Sequence, residues 1–143
     1  MADETVFFQH GSWAPDPPTE NPRAVTATIL LVDDRPDMLR AFRRQFARHA
    51  KVVMAANADE ALAVLDAVEV TVILTDYQMP GRDGVDLLRE VQRRWPRTRR
   101  FLMSGDQVPG IADLMAGGLV ETFFTKVADF AAVVAVLAAA RPD

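Results

Sequence analysis

The feature that most constrains the fold is a regular alternation of short aliphatic runs with segments of helical period. Residues 28–32 form a continuous apolar run, which is typical of a strand buried on both faces of a parallel sheet, and residues 70–75 form a β-branched run, which also favours a strand. Between such runs, apolar residues recur every three or four positions, as in Met38, Phe42 and Phe46, which predicts helices that bury one face. The pattern predicts an α/β fold.

Five strands and five helices are predicted in this way. The strands are expected at residues 28–32, 51–55, 70–75, 100–103 and 120–124. Strands that alternate with helices pair in parallel through right-handed crossovers. We therefore expect one doubly wound domain, a five-stranded parallel sheet with helices on both faces.

The first 27 residues differ in composition from the rest. They contain four prolines without a sustained hydrophobic period, which predicts an N-terminal extension, flexible or docked through its aromatic residues, ahead of a domain at residues 28–143. Four acids and one arginine give the extension a side-chain charge of −3, against 15 bases and 16 acids in the remainder. A near-neutral main body argues against a direct nucleic-acid partner.

Composition also limits the compartment. The chain of 143 residues has no cysteine, which excludes disulfides and thiolate metal sites. The N-terminus leads into no signal-like apolar region, and the longest apolar run, residues 131–140, is about half of a membrane span. We expect a cytoplasmic protein without membrane insertion.

Polar side chains follow four of the five predicted strands. Asp33 and Asp34 follow the first, Asp76 the third, Ser104 the fourth and Lys126 the fifth. Because functional groups gather beyond the carboxyl ends of parallel strands, these side chains are expected to converge. Three carboxylates repel one another unless a cation lies among them, and oxygen ligands favour a hard ion such as Mg²⁺. Such a site suits phosphoryl transfer to an aspartate.

The motifs around these residues resemble the receiver domain of bacterial two-component response regulators, of the single-domain, chemotaxis-regulator type. The resemblance covers residues 28–140 and implies a flavodoxin-like (βα)5 fold. The matching motifs are Val32-Asp33-Asp34, the turn Asp76-Tyr-Gln-Met-Pro-Gly-Arg-Asp-Gly84, Met103-Ser104-Gly105 and Phe123-Phe-Thr-Lys126. The turn, between a strand and a helix, is the most specific of them.

The resemblance implies an acceptor and a metal site. Asp76 would accept a phosphoryl group from a histidine kinase or a histidine phosphotransfer protein. Asp34 and Asp76 would ligate Mg²⁺ directly and Asp33 largely through metal-bound water. The backbone carbonyl of Gln78 would supply another ligand.

The resemblance also implies a switch. Ser104 and Lys126 would contact the phosphoryl oxygens, and Phe123 would turn into the space that Ser104 vacates, changing a surface that binds a downstream protein. A plain core role for Phe123 fits the sequence equally well. Val127 departs from the family pattern, which has proline after the lysine, so the lysine loop is expected to differ.

Two other functions fit part of the pattern. A receiver fold could act as an adaptor without phosphorylation, and the missing proline favours that alternative. A haloacid dehalogenase-type phosphohydrolase also combines an aspartate nucleophile with a hydroxyl and a lysine, but it needs a second aspartate where this chain has Gln78. The preferred hypothesis is a non-enzymatic, stand-alone receiver.

The last predicted helix is apolar nearly all round. Asp129 is the only charged residue from 127 to 140, whereas a helix on the outside of a sheet should expose a polar face. A second copy, a partner protein or the folded-back extension could cover it; a bland alanine-rich surface is the alternative. A homodimer through this helix would be mainly hydrophobic and weakly dependent on salt.

Overall fold

Strands and helices alternate along the part of the chain that the computed structural model describes, residues 27–48, 50–125 and 135. The elements are β1 (Thr28–Val32), α1 (Pro36–Phe46), β2 (Lys51–Ala55), α2 (Ala58–Ala67), β3 (Val72–Asp76), α3 (Gly84–Arg94), β4 (Arg99–Ser104), α4 (Ile111–Ala116) and β5 (Thr122–Thr125). The predicted N-terminal extension as far as residue 26, and the predicted last helix apart from residue 135, lie outside the described residues.

The five strands form one parallel sheet in the order β2-β1-β3-β4-β5. The strand order reverses between β1 and β3, and ligand sites in such sheets lie beyond the carboxyl ends of the strands at this switch point. The predicted doubly wound, flavodoxin-like sheet is therefore confirmed.

Alternate residues of the central strands feed two separate cores. Leu30 and Val32 belong to a cluster that includes residues of α2 and α3, whereas Ile29 and Leu31 belong to a cluster that includes α1. All four are fully buried. Helices therefore cover both faces of the sheet, which explains why β1 is apolar at successive positions.

Three strands have boundaries that differ from the prediction. β3 is Val72–Asp76, β4 is Arg99–Ser104, one residue longer at each end than expected, and β5 is Thr122–Thr125, beginning two residues later than expected. Val120 is apolar and β-branched, but its N–H donates to the carbonyl of Leu114 at the end of α4 (3.2 Å). This hydrogen bond holds the backbone of Val120 in the turn before β5, so Val120 is not part of the strand.

An arginine joins two loops at the amino-terminal edge of the sheet, opposite the switch point. The guanidinium of Arg100 donates to the carbonyls of Thr98 and Leu119 (both 2.9 Å) and to those of Pro96 and Gly118 (both 3.2 Å). Partial burial lowers its pKa, although Glu121 opposes that effect. Arg100 thus ties the turn before β4 to the turn before β5.

The neighbouring Arg99 forms an ion pair with Glu121, and we predict a small pH-dependent contribution from it. The hydrogen bonds from Arg99 hold the pKa of the Glu121 carboxyl below its ordinary value, against a smaller effect of burial. A depressed folded pKa stabilises the fold above the unfolded pKa of about 4.3, and this stabilisation is lost as the pH falls through the folded value. The two side chains are 36% and 42% exposed, so solvent screening limits the effect.

Glu121→Gln should therefore lower the free energy of unfolding at neutral pH by about 0.2–1 kcal/mol. The difference from wild type should vanish in acid, below the folded pKa of the carboxyl. Urea denaturation at both pH values measures it. Glu69→Gln, at an exposed acid without an ion pair to any described residue, is the matched control. An equal loss at both pH values would show that the effect is not electrostatic.

Candidate functional site at the carboxyl edge of the sheet

Three carboxylates lie together at the switch point. Asp33 and Asp34 follow β1, Asp76 ends β3, and each offers one oxygen within 4.8 Å of those of the other two. Asp33 and Asp76 are buried, and Asp34 is exposed. The structure thus brings together the three acids that were expected to converge at the ends of the strands.

Backbone hydrogen bonds fix the acids after β1. The N–H of Asp33 donates to the carbonyl of Ala55 (3.1 Å), which continues the β1–β2 pairing past the end of the strand. The Asp33 carboxylate accepts the N–H of Arg35 (2.9 Å), forming a turn that leads into α1. Pro36 then occupies the first turn of the helix, where its missing N–H costs nothing.

The turn after β3 is held at both ends. The N–H of Tyr77 donates to the carbonyl of Met103 on β4 (2.9 Å), and the N–H of Gly84 donates back to the carbonyl of Tyr77 (2.8 Å). The Asp83 carboxylate accepts the N–H of Asp86 (2.8 Å) and caps α3. These bonds fix the backbone that follows Asp76.

Two glycines are required by this turn. Gly81 has a φ of 83°, in the left-handed region that side chains disfavour. At Gly84 a Cβ would lie 2.3 Å from the carbonyl oxygen of Asp76 and 3.0 Å from Leu102 Cδ1. The N-terminus of α3 therefore packs directly against the backbone of Asp76. Gln78 lies between them in the turn, with its side chain exposed.

Ser104 ends β4 beside the acids and is buried. Its Oγ accepts the N–H of Asp106 (3.0 Å), a bond within the β4–α4 loop that the sequence did not reveal. A hydroxyl has one donor and two acceptor positions, so this bond leaves the O–H of Ser104 able to donate. The Asp106 side chain is exposed.

Phe123 and Ser104 line the same cavity. The cavity measures about 370 Å³ and is lined, among the described residues, by Ser104, Gly105, Asp106, Gln107, Phe123 and Thr125. Phe123 is half-buried and also packs against a core cluster. The structure is compatible with both interpretations of this residue, a core aromatic and an aromatic with room to move.

Two predicted features cannot be placed in the site. β5 ends at Thr125, directly before Lys126 in the chain. Lys126 and Val127 lie outside the described residues, and so does the predicted last helix apart from residue 135.

The match to a known family identifies the class of protein that this fold and acid cluster represent. The response regulator receiver domain matches residues 29–138, and the chain belongs to this family. In the described part of the chain, no helix has both the length and the apolar character needed to span a bilayer.

Curated relatives are similar over part of their own length. The hydrogenase transcriptional regulatory protein HoxA of Cupriavidus necator is 44% identical over 79 residues, which is 55% of this chain and 16% of that protein. The sensor kinase CckA of Brucella abortus is 36% identical over 84 residues, which is 56% of this chain and 9% of that protein. The chain therefore spans well under two thirds of the length of these relatives.

Solved structures show the same fold. The signal receiver domain of an HD domain-containing protein from Pseudomonas fluorescens has a TM-score of 0.72 at 26% identity, covering 78% of this chain and 84% of that one. The response regulator TrrA of Thermotoga maritima, crystallised in complex with Mg²⁺ and BeF, has a TM-score of 0.69 at 20% identity, covering 78% and 96%. At that identity the second likeness concerns the fold alone.

Proposed function

We propose that this chain is a phosphoacceptor receiver in which Asp76 takes a phosphoryl group from a histidine kinase or a histidine phosphotransfer protein. The observation that carries the proposal is the group of three carboxylates at the switch point, with Asp76 at the end of β3 in a turn that matches the receiver motif. A phosphorylation-independent adaptor has no such need for three acids within 4.8 Å of one another.

The donor set suits a magnesium ion. Asp33, Asp34 and Asp76 offer only oxygen ligands, which Mg²⁺ prefers, and their mutual repulsion favours binding of a cation. The backbone carbonyl of Gln78 would complete the protein ligands. When bound, the cation would neutralise charge on the carboxylates and on the transferring phosphoryl oxygens.

Asp76 acts as the nucleophile in this proposal. One of its carboxylate oxygens attacks the phosphorus of a phosphohistidine, so that a P–O bond forms while the P–N bond to the donor's imidazole breaks with its electron pair. The product is an acyl phosphate on Asp76. Two interactions keep the backbone of Asp76 fixed during the attack. They are the hydrogen bond from the Tyr77 N–H to the Met103 carbonyl and the close packing of Gly84 on the Asp76 carbonyl.

The output is a change of surface. The hydroxyl of Ser104 donates a hydrogen bond to a phosphoryl oxygen, and Lys126 places a positive charge beside the same group. Movement of Ser104 toward Asp76 enlarges the cavity that Phe123 lines, and Phe123 turns into it. The altered surface binds a downstream protein, so the chain acts through a population shift and does not turn over an external substrate.

The setting of this switch is part of the proposal. We place it in the cytoplasm of a bacterial two-component system, without contact to nucleic acid or insertion into a membrane. A homodimer through the predicted last helix would be one way to read out the switch. The haloacid dehalogenase-type alternative gains no support, since Gln78 stands at the position of its second aspartate.

The proposal is tested by incubating the protein with Mg²⁺ and a small phosphodonor such as acetyl phosphate, followed by measurement of the intact mass. We expect one added phosphoryl group, and no addition after Mg²⁺ is chelated. A mass that stays unchanged in the presence of Mg²⁺ would favour the adaptor.

Binding of Mg²⁺ alone should stabilise the fold, because it relieves repulsion among the three acids. A tenfold excess of Mg²⁺ over its dissociation constant is worth about 1.4 kcal/mol. Asp34→Ala should remove most of this gain, since Asp34 is the exposed member of the group and its loss leaves the buried residues in place.

The melting temperature across a Mg²⁺ titration measures this effect. Asp37→Ala is the matched control, because Asp37 is an exposed acid three residues away that pairs with Arg35 instead. It should retain the full Mg²⁺ response. A wild-type melting temperature that does not change with Mg²⁺ would contradict a cation site at these acids.

A further inference from the structure

The outer face of α1 carries a row of arginines that have no counter-charge among the described residues. Arg40, Arg44 and Arg48 follow one another at intervals of four residues, which places them on one side of the helix and of the turn that continues it. All three are exposed, and none forms an ion pair with any described residue. Asp37, the acid of the same helix, pairs with Arg35. We call these three residues the arginine row.

Two arginines at the ends of α3 have acidic partners, in contrast to this row. Arg82, in the turn before α3, pairs with Glu90 (2.8 Å). Arg94, the last residue of α3, pairs with Glu90 (3.0 Å) and with Asp66 of α2 (2.9 Å). Like charges four residues apart on a helix destabilise it. The arginine row therefore favours an occupant that brings negative charge.

The N-terminal extension joins the domain next to this row. The N–H of Lys51 donates to the carbonyl of Ala27 (2.9 Å), and the N–H of Ala50 donates to the carbonyl of Phe46 in the last turn of α1 (3.0 Å). Ala27 thus lies beside the segment that directly follows Arg48. The chain ahead of residue 27 starts at the C-terminal end of α1.

The extension has the charge and the length to reach the row. Residues 1–26 contain four acids and one arginine, a side-chain charge of −3. Glu20 is seven residues before Ala27, an extended reach of about 24 Å. The 11 residues of α1 span about 16 Å, so both Glu20 and the more distant Asp16 can reach every arginine of the row.

We propose that the acidic extension docks on the arginine row of α1, with Asp16 and Glu20 opposite the guanidinium groups. Pro36, at the other end of α1, is two residues from Asp34, so the docked segment lies along a face that leads to the acid cluster. A partner with an acidic surface would have to displace the extension to use this face. The inference stands whether or not Asp76 is phosphorylated.

The test uses a spin label in the full-length protein. Because the chain has no cysteine, Ser12→Cys gives a single labelling site within the extension. Docking should reduce the amide NMR signals of the arginine row, while the exposed Arg89 and Arg93 on α3 keep their intensity. The loss should be relieved in about 1 M salt, where the Debye length is about 3 Å.

Matched variants separate charge pairing from other causes. Asp16→Asn with Glu20→Gln, and separately Arg44→Gln with Arg48→Gln, should restore the signals. Arg89→Gln with Arg93→Gln should leave the loss unchanged. Reversal of both sets, Asp16→Arg and Glu20→Arg combined with Arg44→Glu and Arg48→Glu, should bring the loss back.

Three results would overturn the proposal. The first is the absence of signal loss on α1. The second is a loss confined to residues 127–140, which would place the extension on the apolar last helix. The third is a signal loss that occurs only between different molecules, detected by mixing spin-labelled protein with protein that carries no spin label. That result would assign the row to a second copy of the chain.

Discussion

Replacing Asp76 with asparagine is expected to abolish the addition of a phosphoryl group from a small phosphodonor. The amide of asparagine has the shape of the carboxylate but neither its charge nor its nucleophilic oxygen. Asp76 is 4% exposed and sits among two other acids, so a neutral side chain of the same shape should leave the fold intact. A time course of intact mass at saturating Mg²⁺ measures the loss, which should be complete.

Two further variants define what the loss means. Asp37→Asn changes an exposed acid outside the cluster and should label at the wild-type rate. Asp34→Ala keeps the acceptor but weakens the cation site, so its labelling should be slow and should recover as Mg²⁺ is raised. Labelling of Asp76→Asn at the wild-type rate would show that another residue is the acceptor.

Replacing Gly84 with alanine is expected to have the largest effect on stability. The new Cβ would lie 2.3 Å from the carbonyl oxygen of Asp76, and this backbone atom is part of β3 in the centre of the sheet. Overpacking of a well-packed interior costs about 1–3 kcal/mol, and more where the neighbour cannot move. Helix propensity alone would give the opposite sign, since alanine is favoured over glycine by about 1 kcal/mol within a helix.

The control for Gly84→Ala is the same substitution at Gly105. A Cβ there meets nothing within 4 Å, so the change in the free energy of unfolding should stay within about 0.5 kcal/mol. Urea denaturation of both variants measures the difference. Equal stability of the two would contradict the close packing of α3 on Asp76.

Features that follow from local chemistry were predictable. The uninterrupted apolar run of β1 indicated a strand buried on both faces, and all of its central residues are buried. Asparagine is among the residues that helix N-caps prefer, and the side chain of Asn57 before α2 accepts the N–H of Glu60 (2.9 Å). The grouping of Asp33, Asp34 and Asp76 followed from topology, because the carboxyl ends of neighbouring parallel strands share one edge.

Features that depend on the path of the backbone were not predictable. Val120 has the side chain of a strand residue, but its N–H bonds to α4. Met115 of α4 is apolar but 40% exposed, since a helix of six residues is too short to define a buried face. The hydrogen bond from the N–H of Asp106 to Ser104 Oγ depends on the geometry of the loop after β4. The contact of Gly84 with the carbonyl of Asp76 depends on how α3 packs against β3.

The most direct test of the central claim is to locate the phosphoryl group by peptide mass spectrometry after the wild-type protein has reacted with a small phosphodonor and Mg²⁺. We expect a single modified peptide, the one that contains Asp76. A phosphoryl group on a peptide with Asp33 and Asp34 but without Asp76, or on any other part of the chain, would contradict it.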